Sequence, residues 1–260
     1  MEQLDKFISI FAGLDSAYGT YKVSGQNAKG KSTGQALVVR KPPTKDLWQR
    51  HFDGAEPSLG IIPIRADNSC VWGCIDIDQY PLDLAALVIQ IKKLGLPLVS
   101  CRSKSGGAHC FAFTKTPVPA GDMQDYLNSC AALLGQSGRE VFPKQREIHL
   151  KRGDCGNFLN LPMHNVSKTL RYAIKEDGTA ATLEEFFEMY EANVQESLVS
   201  PKPSPKENTA VFDGPPCLQA LCEQGFPEGS RNNGMFSTGL YLKKAFPEGW
   251  ADKLLEYNHK

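Results

Sequence analysis

"VWGCIDIDQY", residues 71–80, sets two carboxylates, Asp76 and Asp78, two positions apart at the end of an otherwise apolar run. On a strand, alternate side chains leave opposite faces, so both acids project from one face and Ile75 and Ile77 from the other. Neighbouring carboxylates in apolar surroundings repel one another and lose hydration unless a cation or a hydrogen-bond network neutralises them. The pair therefore marks a candidate metal site. The alternative is a strand whose C-terminal end simply reaches solvent.

Downstream, residues 81–95 place Leu84, Leu87, Val88, Ile91 and Leu94 at helical spacing and stop at Gly95. Residues 96–104 read as a strand, 105–107 (SGG) as a tight turn and 108–113 (AHCFAF) as the returning strand. A second helical pattern comes next, with Met123, Tyr126, Leu127, Cys130 and Leu134 between a capping Asp122 and Gly135. Residues 139–142 (REVF) supply a short last strand. The order strand, helix, strand, strand, helix, strand is the split βαβ arrangement of ferredoxin-like and RNA-recognition-type sheets. In that topology the first strand lies between the third and fourth and runs antiparallel to both. Asp76, Asp78, His109 and Glu140 are therefore expected at one edge. Glu147 and Asp154 compete for the part of a third acid, but the topology sets Glu140 beside Asp76.

The flanks complete an α+β reading. Residues 1–70 form a less regular α/β lobe, with helices near 4–11 and 46–52, strand-like pieces at 18–23 and 36–39, and the apolar run LGIIPI at 59–64. After the βαββαβ palm, residues 156–162 (GNFLNLP) and 170–174 (LRYAI) suggest strands, and Thr182 with Glu185 forms a capping box opening a helix. A Pro, Ser and Lys linker then leads to a small helical module. The expected division is a domain at 1–195, a linker at 196–209 and a helical module at 210–260.

A chain of 260 residues with 41% hydrophobic residues can bury one large core, or a main domain and a small one. Lys+Arg and Asp+Glu both number 29, so any basic surface must be local. The acidic, amphipathic N-terminus reads as neither a signal peptide nor a membrane span. The 8 cysteines lack paired CxxC spacing and read as reduced thiols of a cytoplasmic protein.

Residues 25–32 (GQNAKGKS) fit the P-loop pattern, which has meaning only between a strand and a helix. The adjoining run TGQALVVRKPP is β-branched and ends in prolines, so residues 25–32 read as a flexible basic hairpin tip. In residues 101–109 (CRSKSGGAH), Arg102, Lys104 and Ser105 enter a turn whose Gly106 and Gly107 admit close backbone approach, with amides able to bind phosphate, before His109. An ordinary hairpin with a core histidine is the alternative. Lys144 and Gln145 come after the last strand, and Asn157 and Asn160 offer amides suited to sugar, base or phosphate. Each is also at home on a solvated edge or turn.

Together the DxD strand (CIDID), the His motif (SGGAH), the acidic strand (EVFPKQ) and GNFLNLP resemble the archaeo-eukaryotic primase superfamily, most closely the primase-polymerases of phages, plasmids and related conflict systems. The resemblance extends upstream through HFDGAEPSLGIIPI and covers about residues 1–195. The tail EGSRNNGMFSTGLYLKKAF resembles the helical primase C-terminal domain that precedes a helicase. No clustered cysteines of a zinc-binding stem are present.

The resemblance implies a DNA-template-dependent nucleotidyltransferase that starts or extends primers in phage or plasmid replication. Asp76, Asp78 and Glu140 would hold two divalent ions, Mg²⁺ or Mn²⁺. Arg102, Lys104, Ser105, Gly106, Gly107, His109, Lys144, Gln145, Asn157 and Asn160 would meet the nucleoside triphosphate. Arg139, Arg146, Lys151 and Arg152 would meet a single-stranded DNA template. A helicase region of the same parent protein is an implied partner, and a membrane is not. Two other classes stand beside this one: a DxD glycosyltransferase, and a non-catalytic single-strand binding module that would stack bases on Phe111 and Phe113.

Overall fold

The structure, a computed structural model, describes residues 2–26, 32–199, 201, 214–224 and 231–258. The chain divides into two compact units, residues 1–127 with 139–199, and residues 128–138 with 200–260.

The first lobe opens with α1 (Glu2–Ile10), which buries Leu4, Phe7 and Ile10 at helical spacing. The antiparallel pair β1 (Tyr18–Gln26) and β2 (Ser32–Val39) comes next, then α2 (Lys45–Phe52) and β3 (Leu59–Ile61). A strand, not a helix, thus succeeds the P-loop-like string, as its β-branched residues require. The tip of that string, residues 27–31, lies outside the described residues.

The palm matches the expected topology. It comprises β4 (Ser69–Ile77), α3 (Leu84–Lys93), β5 (Val99–Arg102), β6 (Ala108–Pro119), α4 (Ala120–Leu133) and β7 (Glu140–Phe142), with sheet order β5-β6-β4-β7. The central β4 runs antiparallel to both neighbours. Asp83 caps α3 by accepting from Ala86 N at 2.9 Å. The second helix begins at Ala120, so Asp122 sits within its first turn, where a carboxylate favours the helix dipole, rather than at the cap.

After the palm, β8 (Leu159–Asn160) returns to the first lobe and pairs with β3, completing a second antiparallel sheet of order β2-β1-β3-β8. Phe158 explains two glycines of that sheet. Its ring covers Gly19 and Gly60, which face one another on β1 and β3, and a Cβ on Gly19 would stand 1.9 Å from the ring. Residues 170–174 form no full strand; isolated bridges, Cys101 to Ala173 and Ile174 to Ala180, and backbone hydrogen bonds such as Ile174 N to Ser100 O at 2.9 Å hold them. The helix α5 (Leu183–Asn193) carries both hydrogen bonds of the Thr182–Glu185 capping box.

Both faces of the palm sheet are covered. Gly73 lies against Met123 and Leu127 of α4, where a Cβ would meet Met123 Cγ at 2.6 Å. On the other face Trp72, Cys74, Phe111 and Phe113 join Leu4, Phe7 and Phe186 in one core. Phe11 packs edge-on to Trp72, Phe111 and Phe113 with ring centroids 5.4, 5.3 and 5.6 Å apart. Phe111 and Phe113 are 0% exposed, which overturns the expectation that they stack on bases. The lobe that an open RNA-recognition sheet lacks supplies the rings that cover them.

The second unit contains α6 (Pro216–Gln224), α7 (Arg231–Ala245) and α8 (Trp250–Asn258) around Leu218, Cys222 and Leu242. Among the described residues no helix is long and apolar enough to cross a membrane.

Candidate active site

The strand register brings the acids together. Asp76 on β4 stands between His109, the second residue of β6, and Glu140, which opens β7. Paired residues on adjacent strands share a face, so these three side chains leave the sheet on the side of Cys74 and Trp72. Asp76 is half-buried, and its Oδ1 is buried without a hydrogen-bond partner. Burial, then the charges of Asp78 and Glu140, push its pKa up to about 6, against the opposing pull of Lys144 and Arg139.

Its two acidic neighbours have partners. Tyr80 donates to Asp78 Oδ1 at 2.6 Å, and Lys144 Nζ pairs with Glu140 Oε2 at 2.6 Å while standing 5.0 Å above the Phe142 ring. Among the described residues no three His, Cys, Asp or Glu side chains are clustered tightly enough to hold a metal ion. The donors nevertheless suit one. They are hard carboxylate oxygens of the kind Mg²⁺ and Mn²⁺ prefer, and the orphaned Asp76 oxygen is the group that a cation would satisfy.

His109 is 9% exposed, and burial followed by the charge of Arg171 pushes its pKa down to about 4, leaving it neutral at pH 7. The turn before it is closed by Ser103 N donating to Gly107 O at 2.8 Å and Gly106 N donating to Ser103 O at 3.1 Å. The Gly106 amide is thus spent within the turn. A Cβ on Gly107 would lie 2.3 Å from Ile77 O, so packing against the end of β4 already demands a glycine there, and Gly106 needs one for its φ of 98°. Arg102 donates to Leu170 O at 3.0 Å, and Lys104 Nζ stands 4.7 Å above the Tyr21 ring. Ser105 is exposed.

The family model described as "TOTE conflict system, Archaeo-Eukaryotic Primase domain" matches residues 3–196, a span that includes both sheets and all of these side chains. The chain belongs to the archaeo-eukaryotic primases. It carries a primase-like nucleotidyltransferase domain, of a family that generally uses divalent metals. No curated protein matches the chain.

In this primase domain the remaining predicted residues fall into separate groups. Gln145 and Asn157 bond one another, through Gln145 Nε2 to Asn157 Oδ1 at 2.5 Å and Asn157 N to Gln145 Oε1 at 3.1 Å. Asn160 is on β8 of the other sheet, with its Oδ1 buried and unpartnered. The four basic residues are not brought together. Arg139 donates to Gln79 at 2.9 Å near the acids. Arg146 forms a two-pronged pair with Asp125 at 2.7 and 2.9 Å, against Gly121. That is the Ser69 end of β4, about 23 Å from Asp76 at the usual strand rise. Lys151 and Arg152 lie exposed on a 3₁₀ turn (Leu150–Arg152), next to Gly153, whose carbonyl accepts from Arg40 at 2.7 Å.

Two polar groups of the primase domain escaped the sequence reading. His51 is buried with its tautomer fixed: Nδ1 accepts from Leu59 N at 3.3 Å and Nε2 donates to Pro162 O at 2.8 Å. Burial pushes its pKa down to about 3, so it is a neutral staple between α2, β3 and the segment after β8. Arg171 is 5% exposed, donating to Ser58 Oγ at 3.0 Å and to Leu161 O at 3.4 Å. An arginine within the apolar run LRYAI was the signal that could have found it.

Proposed function

We propose that the domain, about residues 1–195, joins nucleoside triphosphates on a single-stranded DNA template, starting primers, extending them, or both. The observation that carries this reading is the unpartnered Oδ1 of Asp76, held between His109 and Glu140 in a family of nucleotidyltransferases. Asp76, Asp78 and Glu140 would hold Mg²⁺ or Mn²⁺. When bound, such ions activate a 3′-hydroxyl and offset charge on the departing pyrophosphate.

The other roles belong to the chain's own groups. His109, neutral at pH 7, offers an N–H to a phosphate oxygen without adding a buried charge. Arg102 and Lys104 supply positive charge beside the turn containing Ser105, Gly106 and Gly107. Lys144, once released by Glu140, can turn to the same phosphates. The Gln145–Asn157 pair and Asn160 are assigned to the nucleotide's polar edge. Arg139 is assigned to the template near the acids, Lys151 and Arg152 to the template backbone farther along, and Arg146 to the same strand only if its pair with Asp125 opens. Residues 196–209 would link this domain to the helical module at 210–260, which would face a helicase region of the parent protein. Free thiols among the described cysteines accord with a reducing, cytoplasmic setting.

The test is synthesis on single-stranded DNA with labelled nucleotides and Mg²⁺ or Mn²⁺, with and without a primer. Product in both reactions establishes intrinsic initiation, and product only with a primer moves initiation elsewhere. An Asp76→Ala, Asp78→Ala chain that folds should make none; full activity in that chain would refute the assignment.

A further inference from the structure

The bridge between Cys101 and Ala173, with Arg102 N donating to Tyr172 O at 2.8 Å, fixes the register of residues 170–174 along the edge of β5. Two positions further along, Ser103 comes opposite Arg171. Cys101 also pairs with His109, which pairs with Asp76. Since side chains alternate along a strand, Ser103 and Arg171 belong to the face that carries His109 and Asp76.

Each of these groups is costly where it stands. Ser103 is 3% exposed and its Oγ has no hydrogen-bond partner. Arg171 is 5% exposed and takes part in none of the ion pairs among the described residues. Two donations, to Ser58 Oγ and Leu161 O, leave part of its five-donor fork unspent. Glu56, which is exposed, is the carboxylate whose charge reaches it, and the positive field of Arg171 is felt by His109, Lys104, His164 and His51. A buried cation without a counter-ion persists when a bound anion supplies one. If Arg171 were only a staple between loops, its two bonds would suffice and the orphaned hydroxyl of Ser103 would have no purpose.

We propose that Ser103 and Arg171, with His109, form a buried anion subsite that receives the phosphate chain of the nucleotide. The guanidinium fork matches two phosphate oxygens and the serine hydroxyl donates to a third. Neither Ser103 nor Arg171 is in the DxD, His or acidic-strand motifs. The subsite rests on the nucleotidyltransferase reading, and lies on the far side of His109 from Glu140, so a phosphate chain would run from the carboxylates towards Arg171.

Calorimetric titration of the full chain with tripolyphosphate, ATP and adenosine, in EDTA and in Mn²⁺, tests it. Wild type should bind tripolyphosphate and ATP and lose most affinity for adenosine. Ser103→Ala should weaken tripolyphosphate binding about three- to tenfold, and Arg171→Lys about tenfold or more, since it keeps the charge but not the fork. Asp76→Asn should keep tripolyphosphate binding in EDTA while losing synthesis. Wild-type affinity in both Ser103→Ala and Arg171→Lys would overturn the subsite and leave the nucleotidyltransferase reading intact. Failure of the wild-type chain to bind ATP or tripolyphosphate in either condition would overturn that reading and the subsite with it. If the Arg171 variant does not melt cooperatively, Ser103→Ala decides, because it removes one unpartnered oxygen.

Discussion

His109 Nε2 stands 3.5 Å from Asp76 Oδ1, yet that oxygen receives no hydrogen bond. The contact joins a neutral imidazole to a carboxylate that burial and two like charges have made reluctant to ionise. Neither group uses its capacity on the other, which leaves both available to the proposed metal and nucleotide.

With divalent metal removed by EDTA, ionised Asp76 costs the fold stability. Its folded pKa of about 6 lies above the ordinary carboxylate value, so the folded state holds the proton more tightly than the unfolded chain. That contribution is fully present below about pH 4 and is lost as pH rises through 6. Asp76→Asn, unfolded by denaturant in EDTA, should therefore gain about 1–3 kcal/mol at pH 7.5, with the gain closing below about pH 4. No gain at pH 7.5, or an equal gain at both values, would refute this account of the site.

Lys144 answers the charge of Glu140 where a divalent ion would otherwise do so. Lys144→Met should raise Mn²⁺ affinity about threefold, a small factor because the pair is largely exposed, and should weaken ATP binding. Titration calorimetry reads both, and a fall in Mn²⁺ affinity would contradict the competition.

If the imidazole holds phosphate as proposed, rather than moving a proton, His109→Ala should raise the KM for nucleotides about tenfold with a smaller effect on kcat. Partial rescue by His109→Gln, which retains an N–H donor, separates this role from acid–base catalysis. A kcat loss that tracks a pH titration would reverse the assignment.

Lys151→Glu with Arg152→Glu should weaken single-stranded DNA binding and flatten its log–log dependence on salt by about 0.7 per lost phosphate contact. Arg146→Ala should change that slope less, since Asp125 already engages its guanidinium. Anisotropy titrations at several salt concentrations would show equal slopes for all chains if the 3₁₀ turn does not touch the strand.

Much of this architecture was legible because it arises from local period. Alternation in residues 71–80 and helical spacing in 84–94 gave β4 and α3, and element order alone put Glu140 beside Asp76. The long-range features were hidden. β8 is only two residues long, and its pairing with β3 depends on a partner about a hundred positions earlier. Phe111 and Phe113 alternate as a half-exposed strand would, and only Phe11 and Phe186, far away in the chain, reveal that the face is closed. Arg171 is buried through its bonds to Ser58 and Leu161, contacts that local spacing does not show.

The pairing of Gly60 with Asn160 also orders events during synthesis. The sheet that starts at Tyr18 waits for a strand made only after the whole palm has been synthesised, so the palm is in effect an insertion within the lobe that precedes it. A ribosome-bound chain ending near residue 145 would hold all four palm strands and still leave β3 with an open edge, ready to pair with a foreign strand until Leu159 and Asn160 arrive.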